Sequence, residues 1–193
     1  MTHACARAGV RTFEFTNRGD GAAEVFASIL PRLRDAAPSL ILGVGSIGDP
    51  YTAGLYLASG ANFVVGPSLN PEVAKLCNRR KVAYAPGCGS ATEVATAEEL
   101  GCEIVKVFPG NSVGGPDFVK SVLGPCPWTS MMPTGGVEPT RESLEKWFGA
   151  GIVAAGIGSK LMPKDAVATG DWSTVESTVR GTLETIASIR AAT

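Results

Sequence analysis

One junction recurs along this chain: the end of a helical stretch, a glycine, then a short run closing on a large apolar residue. Gly60-Ala61-Asn62-Phe63, Gly101-Cys102-Glu103-Ile104 and Gly149-Ala150-Gly151-Ile152 all have it. Glycine past a helix end takes a left-handed conformation that other residues avoid, so each marks a helix stop feeding a strand. Strands are expected near 11–16, 39–44, 62–66, 82–85, 103–108, 129–134 and 152–157. Helix starts fill the gaps. Asp49-Pro50 and Asn70-Pro71 set a capping side chain before a proline suited to the first turn. Ser90-x-x-Glu93 and Ser173-x-x-Glu176 have the spacing of a capping box. Leu55, Ala58 and Leu100 fall on the apolar stripes of such helices, with Gly60 and Gly101 as terminators.

Regular strand–helix alternation indicates a parallel sheet, closed as a barrel or open and doubly wound. Five glycine-bearing loops follow strand ends: Gly43-Val44-Gly45-Ser46, Pro86-Gly87-Cys88-Gly89, Phe108-Pro109-Gly110, Pro133-Thr134-Gly135-Gly136 and Gly156-Ile157-Gly158-Ser159. A ring of loops around one mouth favours the barrel. No GxGxxG opens the first helix, which leaves dinucleotide binding little support. A helix over Ala4–Gly9 precedes the first legible strand, and closure at eight strands needs one more upstream. The expected fold is therefore α/β, a TIM-type β/α barrel of parallel strands with its first strand missing from this chain, in a single domain over 1–193.

Composition narrows the function. Of 193 residues, 45% are hydrophobic and 18% charged, which suits a compact enzyme rather than a disordered chain. A formal charge of -1 gives no reason to expect nucleic acid or an anionic membrane as partner. Five cysteines without a CxxC pair read as buried, reduced thiols in a cytoplasmic compartment. The lone His3 anchors neither a Ser-His-Asp triad nor a multi-histidine metal site. No signal peptide and no bilayer-spanning apolar run are legible.

Lys106 lies within Ile104-Val105-Lys106-Val107-Phe108-Pro109-Gly110. Alternation puts Ile104, Lys106 and Phe108 on one face and Val105 and Val107 on the other. An ammonium among apolar neighbours is costly unless paired or deprotonated, and a neutral amine is what attack on a carbonyl requires. A lysine whose stem lines the strand end while its head reaches water is an equal alternative. Thr12, Glu14 and Thr16 share the face opposite Phe13 and Phe15, so aromatics packed on helices would point Glu14 inward. A carboxyl group there would have a raised pKa, useful for carrying a proton, or would be a structural partner of Thr12 or Arg18. Thr134-Gly135-Gly136 and Gly156-Ile157-Gly158-Ser159 expose backbone N–H groups on consecutive strands, and a following helix would add a positive end suited to phosphate. Arg18 could hold a carboxylate. Asn78-Arg79-Arg80-Lys81 reads as helix C-terminal cations, and Trp128, Trp147 and Trp172 as core or subunit-contact residues.

With these residues in hand, the chain resembles the class I aldolase family that cleaves 2-keto-3-deoxy-6-phosphogluconate (KDPG) and 4-hydroxy-2-oxoglutarate (KHG). The likeness runs from about Ala8 to the C-terminus. It rests on Phe13-Glu14-Phe15-Thr16-Asn17-Arg18, Gly43-Val44-Gly45-Ser46, Pro86-Gly87, Val105-Lys106-Val107-Phe108-Pro109 and Pro133-Thr134-Gly135-Gly136-Val137. The resemblance implies an eight-stranded barrel assembled as a homotrimer. It implies Lys106 as imine-forming nucleophile and Glu14 as general acid/base. Arg18, Ser46 and Thr134 would hold the substrate carboxylate, Phe108 and Pro67 would line the pocket, and Gly135, Gly136, Gly158 and Ser159 would take the phosphate. Ser46 stands where family members often have threonine. The substrate would be a keto acid, phosphorylated in the KDPG case, with no cofactor and no metal. Two rivals remain at this point: a phosphate-binding synthase or isomerase without imine chemistry, and a non-catalytic barrel.

Overall fold

The computed structural model describes residues 1–192. The chain divides into two compact units: Arg11–Phe108, and Met1–Val10 together with the chain from Pro109 onward.

In the Arg11–Phe108 unit, β1 (Thr12–Thr16), β2 (Ile41–Gly45), β3 (Phe63–Val65) and β4 (Ala83–Ala85) form a parallel sheet in that order. Thr12 pairs with Ile41, Val44 with Val64, and Val64 with Tyr84. A second parallel pair joins β5 (Gly87–Cys88) to β6 (Val105–Val107), with Gly87 opposite Lys106. The strand expected over 82–85 thus runs on past Pro86, whose missing N–H breaks the ladder into β4 and β5. Pro86 still contributes, because its carbonyl accepts the Lys106 N–H at 3.0 Å.

Helices α2 (Ala22–Ala36), α3 (Pro50–Ala58), α4 (Pro71–Arg80) and α5 (Ala91–Glu99) cross between these strands. Asp49 and Asn70 cap α3 and α4 as expected, each accepting two backbone N–H groups. Ser90 accepts the Glu93 N–H, while the Glu93 carboxylate takes the Gly89 N–H and the Ser90 hydroxyl. Gly60 and Gly101 have φ of 101° and 82°, the left-handed stops read from the junctions. The apolar stripe of α3 runs elsewhere than expected. Ala53, Tyr56 and Leu57 are buried while Leu55 and Ala58 face out, because the face turned to the sheet is set by Tyr56 packing edge-on to Phe26 at 5.2 Å.

The other unit holds α1 (Thr2–Ala8), α6 (Gly115–Leu123), β7 (Met131–Pro133), α7 (Arg141–Phe148), α8 (Lys164–Thr169) and α9 (Trp172–Ala192). Residues 152–157 do not form the expected strand. They make one parallel bridge, Thr134 to Gly156, plus hydrogen bonds from Val153 and Gly156 N–H to the Met131 and Pro133 carbonyls. Glycines at 151 and 156 leave too little side chain to hold a longer ladder. The start of α9 also differs, since Asp171 rather than Ser173 caps it by accepting the Thr174 N–H. Glu176 pairs instead with Arg7 and Arg180, both at 2.8 Å, which ties α1 to α9. Trp147 is buried as expected, whereas Trp128 is 71% exposed. All five cysteines are free thiols; only Cys126 is not fully buried. No described helix is long and apolar enough to cross a membrane.

Candidate active site

Lys106 is the middle residue of β6 and is only 5% exposed. Val105 and Val107 on the other face are buried, while Ile104 falls outside the strand and is exposed. The Lys106 Nζ lies 4.6 Å from the centre of the Phe108 ring. Among the described residues no carboxylate lies within ion-pairing distance of it, nor does it make a side-chain hydrogen bond. Burial pulls the Lys106 pKa below its ordinary 10.5; the Glu14 charge opposes this and the Arg18 charge adds to it. The net shift is toward the neutral amine, the form that attacks carbonyl carbon.

Glu14 is the centre of β1 and is half-buried. Phe15 turns the opposite way, packing edge-on to Phe26 at 5.5 Å. That contact fixes which face Glu14 takes. Burial pushes the carboxyl above its ordinary 4.5, with Lys106 and then Arg18 working against the shift. Lys106 and Glu14 therefore sense each other while each is driven toward its neutral form, which suits one amine and one carboxyl that pass protons during a reaction.

The loop after β1 is pinned at Asn17. Its N–H donates to the Gly45 carbonyl at 2.9 Å, and its Oδ1 accepts the Tyr56 hydroxyl at 2.8 Å. The next residue, Arg18, is exposed, and its Nε donates to Ser46 Oγ at 3.4 Å. Ser46 follows β2 directly with φ of 63°, a left-handed conformation uncommon for a serine. The structure thus brings Lys106, Glu14, Arg18, Ser46 and Phe108 together within one unit. Pro67 is exposed, and its carbonyl packs against Gly87, the register partner of Lys106.

The sequence motif puts Gly43 and Gly45 in a loop, but both are buried members of β2. A side chain at Gly43 would strike the Phe63 ring, and one at Gly45 would strike the Glu14 carboxyl. Two glycines spaced by two within an apolar strand are the sequence signal for such close approach. Asn17 and Tyr56 carry no comparable signal.

Thr134, Gly135, Gly136, Gly158 and Ser159 all belong to the other unit. Thr134 Oγ1 is buried without a hydrogen-bond partner, and it fills the space beside Gly156. Gly135 and Gly136 have φ of 85° and 82°. The Gly136 carbonyl accepts the Trp147 indole N–H at 3.3 Å, and the Asn111 side chain packs where a Gly136 side chain would stand. The two turns are neighbours, joined by the Thr134–Gly156 bridge and the Lys160–Glu138 ion pair at 3.3 Å. The N–H groups of Gly135, Gly136 and Gly158 serve no described hydrogen bond. Past Gly158 the helix expected to follow is a single 3₁₀ turn, Ser159–Leu161, with Gly158 at its N-cap. Among the described residues no group of three His, Cys, Asp or Glu could hold a metal ion.

A parallel α/β fold thus carries a buried strand lysine in the field of a strand carboxyl. The chain belongs to the KDPG and KHG aldolase family, whose model matches residues 1–178. It is 34% identical over 190 residues to the 2-dehydro-3-deoxy-phosphogluconate aldolase of Pseudomonas aeruginosa, covering 98% of this chain and 84% of that one. It is 33% identical over 186 residues to the Treponema pallidum enzyme of the same name, covering 96% and 86%. The solved KDPG aldolase of Legionella pneumophila, with pyruvate captured as a covalent carbinolamine, superposes with a TM-score of 0.84 over 94% of this chain and 85% of that one at 23% identity. The fold class is that of these barrel-type aldolases.

Proposed function

We propose that this chain cleaves a 2-keto-4-hydroxy acid, KDPG or KHG, to pyruvate and an aldehyde through an imine on Lys106. The observation that carries this reading is a buried amine whose pKa is drawn down, facing the field of Glu14. Neutral Lys106 attacks the C2 ketone, and loss of water leaves an iminium. Glu14 accepts the C4 hydroxyl proton while the C3–C4 bond breaks, and its electrons flow into the iminium to give an enamine. The aldehyde departs: glyceraldehyde 3-phosphate from KDPG, or glyoxylate from KHG. Glu14 returns the proton to C3, and water releases pyruvate from the lysine.

Arg18 and Ser46 hold the substrate carboxylate in this scheme, with Phe108 and Pro67 along the pocket wall. The unpartnered Thr134 hydroxyl is a further carboxylate donor, and the unused N–H groups of Gly135, Gly136 and Gly158, with Ser159, are the phosphate donors. The site works as a homotrimer in the cytoplasm, and light scattering tests the assembly. An imine-free synthase or isomerase has no observation in its favour once family membership is established. Borohydride reduction in the presence of pyruvate should add the reduced pyruvyl group to the peptide carrying Lys106. Rates with KDPG and KHG, compared side by side, rank the aldehydes. Metal-dependent turnover that survives Lys106→Ala overturns the scheme.

A further inference from the structure

We infer that Gly45 is a positioning residue for the reaction, its missing side chain being the space into which the Glu14 carboxyl leans. The register of β1 and β2 pairs Glu14 with Gly43 and Thr16 with Gly45. The Glu14 side chain does not stay over its own partner. It slants one step toward the C-terminal strand ends, until Oε1 and Cδ occupy the place of a Gly45 Cβ and Cγ lies 2.7 Å from it. The C-terminal strand ends are where barrel enzymes do chemistry, so the slant carries the carboxyl toward the reacting atoms.

Three observations make the glycine a requirement of Glu14 rather than of the strand. The Gly45 backbone has no positive φ, so alanine is conformationally acceptable there. The nearest atoms a Cβ would meet all belong to the Glu14 side chain; no backbone is among them. The strand cannot retreat, because Gly45 O accepts the Asn17 N–H at 2.9 Å and neighbouring Val44 is fully buried. The carboxyl tip is the movable part. A methyl at 45 therefore displaces the acid/base group and leaves the fold in place. Gly43 is the internal contrast, since a methyl there meets the Phe63 ring.

The inference rests on Glu14 being the acid/base group, and the experiment separates the two. Gly45→Ala should lower kcat/KM on KDPG about 100-fold, mostly through kcat, as expected for a misplaced catalytic group. The final extent of borohydride labelling of Lys106 with pyruvate should match wild type, and Tm should fall by no more than about 3 °C. Glu14→Ala, which removes Cγ, Cδ and both carboxyl oxygens, leaves room for the methyl, and its residual rate is the reference. In that background Gly45→Ala should cost less than about threefold, a coupling that a purely structural role would not produce. Equal losses in both backgrounds, or a Gly45→Ala enzyme within about threefold of wild type, overturn the inference. If Gly45→Ala does not fold while Gly45→Ala/Glu14→Ala does, the steric coupling stands; if neither folds, it is overturned. An active Glu14→Gln would instead sink the acid/base assignment itself.

Discussion

Ser46→Gly should yield a protein that is more stable and less active. Ser46 has φ of 63°, and a left-handed conformation costs a residue with a Cβ about 1–2 kcal/mol. Glycine removes that cost but adds about 0.5–1 kcal/mol of chain entropy to the unfolded state. The Arg18–Ser46 contact is long at 3.4 Å and Arg18 is exposed, so its loss contributes little. The net gain is about 0.5 kcal/mol. Ser46→Ala supplies the sharper comparison, since it lacks the hydroxyl yet keeps the Cβ and its strain. The glycine variant should exceed the alanine variant by about 1 kcal/mol, or about 2–4 °C in Tm for a chain of this size. Urea melts of the two variants measure this directly. Both should raise KM for the keto acid at least about tenfold, since a hydrogen bond to a charged carboxylate contributes about 1.5–3 kcal/mol. A glycine variant no more stable than the alanine variant would refute the claim that the serine is strained. Unchanged KM in both would remove Ser46 from the carboxylate site.

Burial holds the Glu14 carboxyl above its ordinary 4.5, so the folded protein keeps a proton that the unfolded chain has lost. That contribution is complete below 4.5 and disappears as pH rises through the folded value. The stability of Glu14→Gln relative to wild type should therefore climb as pH rises above the ordinary carboxyl value of 4.5 in urea titrations, and a flat difference would deny the shift. Asn70→Ala removes the cap of α4, where Oδ1 accepts the Glu72 and Val73 N–H groups and Nδ2 donates to the Gly48 carbonyl. It should cost about 1–2 kcal/mol in denaturant melts. Burial pushes the Cys77 and Cys102 thiols up to about 11 and Cys88 up to about 12. A thiol reagent at pH 8 should therefore label Cys126 in the native protein and the other three only after unfolding; prompt labelling of Cys88 would contradict its burial.

Much of the fold is legible because glycine and capping residues act locally. Gly60, Gly101, Asp49, Asn70 and Ser90 each do in the structure what their own neighbours dictate. Failures occur where a distant contact decides. Leu55 fits an apolar stripe, yet Tyr56 wins the buried face through Phe26, thirty residues away in sequence. Ser173 has capping-box spacing, but Asp171 is placed first and Glu176 is drawn off by Arg7. The site divides in the same way. Lys106 and Glu14 are legible because a charge in an apolar strand is conspicuous in one dimension. The strain at Ser46, the Asn17 anchor and the room made by Gly45 exist only once β1 lies beside β2.

Gly43 yields its side-chain space to Phe63, a residue of the next strand, and this ties the history of one position to the other. A bulkier residue at 43 can be inherited only after the ring at 63 has been trimmed, and trimming first opens a void that nothing at 43 yet fills. Drift between relatives should consequently move the two sites as a pair, with intermediates penalised along either route.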